Sequence, residues 1–175
     1  LLRPKDRLLL NELHPEDHET LAARFGIFTQ VRLSQVDALQ AVKAFLPFPE
    51  KRGLVLIDPA FEVVDESQRV ARMVEQALRR MAQVCMMIWY PVTTQKFADD
   101  FCDGLRFEGA KSALRAEVLV RAPQDGSGLA GSGVIFVNPP WTLYEEATKI
   151  LPALAHTMGE SKQGKHRLTW IVEPK

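Results

Sequence analysis

The stretch Gly53-Leu54-Val55-Leu56-Ile57-Asp58-Pro59-Ala60-Phe61 decides the fold class. Its apolar run stops abruptly at an aspartate and a proline, which is typical of a parallel strand buried on both faces with a polar residue at its carboxyl end. The segment from Ser67 to Met81 follows, with apolar residues at i, i+3 and i+4 spacing, and we expect a helix with Ser67 as its N-cap. A strand and a helix in this order are the first two elements of a βαβ unit.

The same alternation extends along the first half of the chain. The patterns predict strands over 7–11, 31–33, 53–57 and 84–90 and helices over 17–25, 36–45, 67–81 and 94–105. This order predicts an α/β protein with a mostly parallel sheet, helices on both faces and right-handed crossovers. Later strands at 115–120 and 133–138, joined by a Gly-rich connection over 123–128, predict an antiparallel hairpin. A helix over 142–156 and a strand over 168–172 complete the predicted order.

Length and composition limit the class of protein. The 175 residues, 46% hydrophobic and 25% charged, predict one soluble globular domain spanning 1–175. Lys plus Arg and Asp plus Glu number 22 each, so the chain has no overall basic character for nucleic acid. No apolar run could cross a bilayer and no signal peptide is apparent, so we expect a cytoplasmic protein without a membrane partner. Cys85 and Cys102 lie far apart without a Cys/His cluster, and no metal site is expected.

Acidic residues follow the first two predicted strands. Ligands of doubly wound sheets bind beyond the carboxyl ends of the strands, so these positions are candidates for nucleotide binding. Glu12 is placed to accept hydrogen bonds from ribose hydroxyls, or it is a loop carboxylate or a helix N-cap. Asp37 could accept from an adenine amino group while the Ala38 N–H serves a ring nitrogen, or Asp37 is the N-cap of the next helix.

The tetrad Asp58-Pro59-Ala60-Phe61 suits the binding of an exocyclic amino group. The Asp58 carboxylate and a backbone carbonyl can accept the two amino hydrogens while the Phe61 ring stacks on the base. The alternative is a turn that ends the strand, with Phe61 packed in the core.

A second motif, Asn138-Pro139-Pro140-Trp141, looks more complete because it keeps the second proline that Ala60 replaces in the first. It follows a strand of the predicted hairpin, away from the cofactor half of the sheet. We therefore interpret it as structural: its prolines end the strand and start the helix at Thr142.

Several segments together resemble the RlmJ family, bacterial methyltransferases that use S-adenosylmethionine to modify the N6 of an adenine in large-subunit ribosomal RNA. The resemblance runs through essentially the whole chain, and it is carried by the segments Asn11-Glu12-Leu13-His14-Pro15, Arg52-Gly53-Leu54-Val55-Leu56-Ile57-Asp58-Pro59, Trp89-Tyr90-Pro91-Val92, Ser132-Gly133, Asn138-Pro139-Pro140-Trp141 and Trp170-Ile171-Val172.

The resemblance implies a Rossmann-like class I methyltransferase sheet and a role for each candidate residue. Glu12, Asp37 and Ala38 would bind S-adenosylmethionine, and Asp58 would contact both cofactor and substrate. Pro59 and Phe61 would complete the catalytic tetrad. The implied partner is large-subunit ribosomal RNA, naked or in an early assembly intermediate, and the implied state is a monomer. The family is also described as involved in the catabolism of external DNA.

Two departures from the family pattern leave alternatives open. Ala60 stands where the family has a second proline, and the family's N-terminal portion, with the first strand and its Gly-containing cofactor loop, is absent. We expect the gene product to be longer, since that strand lies in the middle of the sheet and its loss leaves two neighbours unpaired. The alternatives are a DNA adenine methyltransferase and a catalytically inactive protein that binds nucleic acid or serves DNA utilisation.

Overall fold

The computed structural model describes residues 3–61, 65–124, 126 and 128–174. The chain divides into two compact units, Leu1–Phe48 and Pro49–Lys175. The single domain expected from the chain length stays a prediction. Positions 125 and 127 of the Gly-rich connection lie outside the described residues.

The first unit has the predicted βαβα order. Its elements are β1 (Leu8–Asn11), α1 (Pro15–Phe25), β2 (Val31–Ser34) and α2 (Ala38–Phe45). The two strands pair in parallel, with Leu8 opposite Val31 and Asn11 opposite Ser34. Parallel pairing brings the carboxyl ends of both strands to the same edge of this small sheet.

Within its described residues, the second unit is a five-stranded mixed sheet with three α-helices. Its elements are β3 (Leu54–Ile57), α3 (Glu66–Arg80), β4 (Cys85–Val92), α4 (Gln95–Gly104), β5 (Ala113–Leu119), β6 (Gly131–Val137), α5 (Leu143–Met158) and β7 (Lys165–Val172). The strand order is β3-β4-β6-β5-β7. β3 and β4 pair in parallel, whereas β6 runs antiparallel to both β4 and β5. The predicted α/β fold and its antiparallel hairpin are thereby confirmed.

Helices cover the sheet of the second unit from both sides. On one face, alternate residues of β4 are fully buried, and the ring of Tyr90 lies against Phe101 of α4 with 5.1 Å between ring centroids. On the other face, α5 packs on β5 through Ala116, Ala147 and Leu151. Apolar burial on both faces therefore supplies the core of this unit.

Two expectations about the β3–α3 segment are wrong. Leu54 and Leu56 are 56% and 65% exposed, so β3 is not buried on both faces. Among the described residues β3 pairs with one strand only, and α5 covers the same sheet face further along, at β5 and β7. Ser67 is not the N-cap, because α3 begins at Glu66 with Asp65 at the cap position. Acidic side chains there favour the positive end of the helix dipole.

Candidate active site at the strand ends

Asp58 directly follows β3 at the carboxyl end of the parallel strand pair. Ile57 is opposite Ile88 of β4, so Asp58 lies level with Trp89. The Asp58 side chain is exposed and borders a cavity of about 430 Å³ whose lining residues are Leu56, Asp58, Met87, Trp89 and Val134. Apart from Asp58, the lining residues are apolar.

Phe61 is held by three other aromatic rings. Its ring centroid lies 6.1 Å from that of Trp89, 5.9 Å from Phe97 and 5.4 Å from Phe101, in nearly perpendicular arrangements. Its φ of 56° is in the left-handed region, which is uncommon for an aromatic residue. The Phe61 ring is half-buried among these rings, as the alternative of a packed Phe61 expects. Stacking of Phe61 on a base stays a prediction.

The acidic candidates of the first unit lie beyond the ends of β1 and β2. The Glu12 N–H donates to the Ser34 carbonyl at 3.1 Å, and Glu12 Oε1 accepts from the His14 N–H at 2.8 Å. Asp37 Oδ1 accepts from the Leu39 N–H at 2.9 Å, so Asp37 is the N-cap of α2. Ala38 is the first residue of α2, where a backbone N–H has no acceptor within the helix.

Asn11, the last residue of β1, is hydrogen-bonded to the loop that follows β2, and it was not among the sequence candidates. Its Nδ2 donates to the Val36 carbonyl at 2.9 Å. Its Oδ1 accepts from Ser34 Oγ at 2.7 Å and from the Val36 N–H at 3.3 Å. Asparagine at a strand end is a known turn signal, but its partners lie more than twenty residues away, so local pattern could not identify them.

A buried charge cluster, which was also missed, has the buried residues Tyr90, Arg115 and Glu117 at its centre. It is completed by Asp99 of α4 and Arg167 of β7, whose side chains are 43% and 38% exposed. Tyr90 Oη donates to Glu117 Oε1 at 2.9 Å, and Arg115 Nη2 reaches the same oxygen at 2.6 Å. Asp99 accepts from Arg115 Nη1 at 2.7 Å and Arg167 Nη1 at 2.9 Å. Glu117 is only 1% exposed, so these bonds stabilise a carboxylate that water cannot reach.

The cluster perturbs the pKa of its members. Burial raises the pKa of the Tyr90 hydroxyl above its usual range, so it remains protonated and can donate to Glu117. Burial opposes ionisation of Asp99, but hydrogen bonds from Arg115 and Arg167 hold its pKa below the usual value. Phe101 contacts both Tyr90 and Phe61, so the cluster supports the Phe61 ring through Phe101.

Asn138 lies at the opposite end of the sheet from Asp58. Val137 is opposite Met86, which places Asn138 beside the amino end of β4. Its Nδ2 donates to the Ala82 and Val84 carbonyls, each at 2.9 Å. Its Oδ1 accepts from a backbone N–H at 2.7 Å, and its φ is 49°. The prediction that this motif ends a strand and precedes a helix is confirmed, since β6 ends at Val137 and α5 begins shortly after.

Metal sites and membrane-spanning helices are both absent from residues 3–61, 65–124, 126 and 128–174. No group of three or more His, Cys, Asp or Glu side chains there could hold a metal ion. No helix within those same residues has the length and apolar character needed to span a membrane.

Each unit contains a parallel strand pair alternating with helices, and in the second unit an antiparallel hairpin follows, which is a Rossmann-like α/β arrangement. The family model for ribosomal RNA large subunit methyltransferase D, RlmJ, matches residues 1–172. The chain belongs to this family.

Curated relatives agree with that assignment, and a solved structure shares the fold. The chain is 39% identical to ribosomal RNA large subunit methyltransferase J of Haemophilus influenzae and 34% identical to the Escherichia coli protein of the same name. Both matches cover 98% of this chain and 61% of the relative, so the chain spans about three-fifths of their length. A crystal structure of a Legionella pneumophila protein matches with a TM-score of 0.85 at 28% identity, covering 96% of this chain and 62% of that one.

Proposed function

We propose that the protein transfers a methyl group from S-adenosylmethionine to the N6 of an adenine in large-subunit ribosomal RNA. One observation carries the proposal: Asp58-Pro59-Ala60-Phe61 stands at the carboxyl end of β3 in a chain that the RlmJ family model matches over residues 1–172. The names of the curated relatives support ribosomal RNA as the substrate.

Asp58 and Pro59 would orient the amino group of the target adenine. The Asp58 carboxylate accepts one amino hydrogen and the Pro59 carbonyl accepts the other, which directs the nitrogen lone pair out of the base plane. Pro59 has no N–H and a fixed φ, so this backbone position presents only an acceptor. Phe61 would stack on the target adenine after the adenine has left its RNA helix or loop.

The residues of the first unit fit the adenosine end of S-adenosylmethionine. Carboxylates suit ribose hydroxyls and an adenine amino group, and the Ala38 N–H at the start of α2 suits a ring nitrogen. The local bonds of Glu12 to His14 and of Asp37 to Leu39 are compatible with this, since a carboxylate accepts several hydrogen bonds. When bound, the cofactor supplies an electrophilic methyl group.

Ala60 departs from the family tetrad but not at a group that this mechanism uses. Both acceptors for the amino group come from Asp58 and Pro59. Alanine in place of proline restores backbone freedom at this exposed position and adds one N–H to the peptide that carries the Pro59 carbonyl, while both proposed acceptors are kept.

The test is methyl transfer by the complete gene product. Tritium from labelled S-adenosylmethionine is followed into protein-free large-subunit ribosomal RNA and, in parallel, into DNA containing adenine. Asp58→Asn is expected to lower transfer by about 1,000-fold or more, because the amino group loses its anionic acceptor. Asp103→Asn is the matched control, because Asp103 is an exposed aspartate in the last turn of α4.

The outcomes separate the alternatives. Equal transfer by wild type and Asp58→Asn would remove Asp58 from the site. Transfer to DNA alone would favour the DNA adenine methyltransferase. A folded wild type that shows no calorimetric heat with S-adenosylmethionine and no transfer would favour the inactive nucleic-acid-binding protein. The cytoplasmic location, the monomeric state and the choice between naked RNA and an assembly intermediate stay predictions.

A further inference from the structure

Asn11 fixes the backbone of the loop that follows β2. It is the last residue of β1, and its side-chain amide bonds to both the N–H and the carbonyl of Val36. Ser34 Oγ donates to the same Asn11 oxygen. A primary amide that pairs with both polar groups of one residue acts as a neighbouring strand would, and it holds that residue in one position.

The residue held in this way directly precedes Asp37 and Ala38. Asp37 has an extended backbone, with φ −54° and ψ 139°, and its carboxylate caps the N–H of Leu39. Hydrogen bonds therefore connect the end of β1 to Val36, and the next residue, Asp37, is hydrogen-bonded to the first turn of α2. Because Asn11 is half-buried, its bonds are partly shielded from competing water.

A nearby amide provides a contrast. Gln35 Nε2 donates to the Leu13 carbonyl at 3.3 Å, and its side chain is exposed. This bond joins the same two loops, but water can replace it at little cost. Asn11 and Gln35 therefore both connect the segment at the end of β1 to the segment after β2. Only the half-buried bonds of Asn11 hold the loop after β2 in one conformation.

We infer that Asn11 is a positioning residue for the cofactor: it holds Asp37 and the Ala38 N–H in the arrangement that accepts the adenine ring of S-adenosylmethionine. This inference rests on the proposed function. Asn11 does not contact the reacting atoms in this assignment, so its effect belongs to cofactor affinity and not to the rate of transfer at saturation.

The test variant is Asn11→Asp in the complete gene product. Aspartate keeps the shape and one acceptor, but it replaces the donor with an oxygen that repels the Val36 carbonyl. Calorimetry is expected to show roughly 10- to 100-fold weaker binding of S-adenosylmethionine and of S-adenosylhomocysteine. The kcat for methyl transfer at saturating cofactor is expected to stay within about twofold.

Gln35→Glu is the matched control. It makes the same amide-to-carboxylate change and adds the same charge in the same pair of loops, yet it should change cofactor affinity by less than about threefold. Ser34→Ala is the milder second variant, since it removes one bond to Asn11 and introduces no charge. It is expected to weaken binding a few-fold even if Asn11→Asp folds poorly.

A measurement without cofactor separates the inference from the proposed function. Amide hydrogen exchange at residues 36–39 of the ligand-free protein should become faster in Asn11→Asp and stay unchanged in Gln35→Glu. If wild type binds S-adenosylmethionine and Asn11→Asp binds it equally well, the inference is overturned and the proposed function stands. A folded wild type that does not bind S-adenosylmethionine overturns the proposed function and the cofactor role of Asn11 with it.

Discussion

Replacing Gly133 by alanine is expected to lower the free energy of unfolding of the second unit by about 2–6 kcal/mol. Gly133 of β6 is opposite Tyr90 of β4, on the face of the sheet that carries the buried charge cluster. A Cβ atom at position 133 would overlap the Cζ, Cε2 and Oη atoms of Tyr90. The Tyr90 ring is fully buried, so it cannot swing into solvent.

Two costs set this magnitude. Adding a methyl group to a filled core costs about 1–3 kcal/mol, because side chains must leave their preferred rotamers. Moving the Tyr90 ring also breaks the 2.9 Å bond from its hydroxyl to Glu117, and a lost hydrogen bond to a buried charge costs about 1–3 kcal/mol more.

The assay is urea unfolding of four proteins: wild type, Gly133→Ala, Tyr90→Leu and the double variant. Leucine lacks the three tyrosine atoms that the new methyl group would meet. In the Tyr90→Leu background, alanine at 133 should therefore cost less than about 1 kcal/mol. The same cost in both backgrounds would refute the reasoning, since the effect would not pass through Tyr90.

Two further predictions concern residues at the other end of the sheet and in the buried charge cluster. Asn138→Ala should lower the free energy of unfolding, measured in urea, by about 2–4 kcal/mol. The reason is that it removes three hydrogen bonds to backbone groups at a residue with positive φ. Methyl transfer by the folded fraction should be unchanged. Asp99 has a folded-state pKa below its usual value of 3.8, so the stability that it contributes is present above that value and is lost as the pH falls further. The thermal midpoint of wild type should therefore fall as the pH drops below about 4, and that of Asp99→Asn should fall less over the same range. An equal fall in both proteins would remove Asp99 as a cause.

The main features of the fold could be predicted from local pattern. Apolar runs that stop at a carboxylate are strong signals, and the structure places Glu12, Asp37 and Asp58 directly after or close to the ends of their strands. Alternation of strands and helices predicted parallel pairing within β1–β2 and β3–β4, and the Gly-rich connection predicted the hairpin. These features depend on neighbours in sequence, which is why a single sequence is sufficient for them.

The features that local pattern missed depend on residues far apart in the chain. The bonds of Asn11 to Val36 form only once β1 and β2 are paired. Arg115 and Glu117 alternate on β5 as strand residues, but Tyr90 and Asp99, their partners, come from other elements. The exposure of Leu56 follows from the place of β3 at the outside of the sheet, and a run of apolar letters is the same for an outer and an inner strand.

The reversed direction of β6 has a consequence for how motifs of this kind are recognised and transplanted. Two similar proline tetrads end up at opposite rims of one sheet, because one follows a strand that runs with β4 and the other a strand that runs against it. A pattern search that scores residue types alone would prefer Asn138-Pro139-Pro140-Trp141, although Asn138 only hydrogen-bonds to backbone groups at the other end of the sheet. Substitutions that bring Asn138-Pro139-Pro140-Trp141 closer to the first tetrad could not create a second reaction centre, since the direction of the preceding strand decides at which end of the sheet these residues lie.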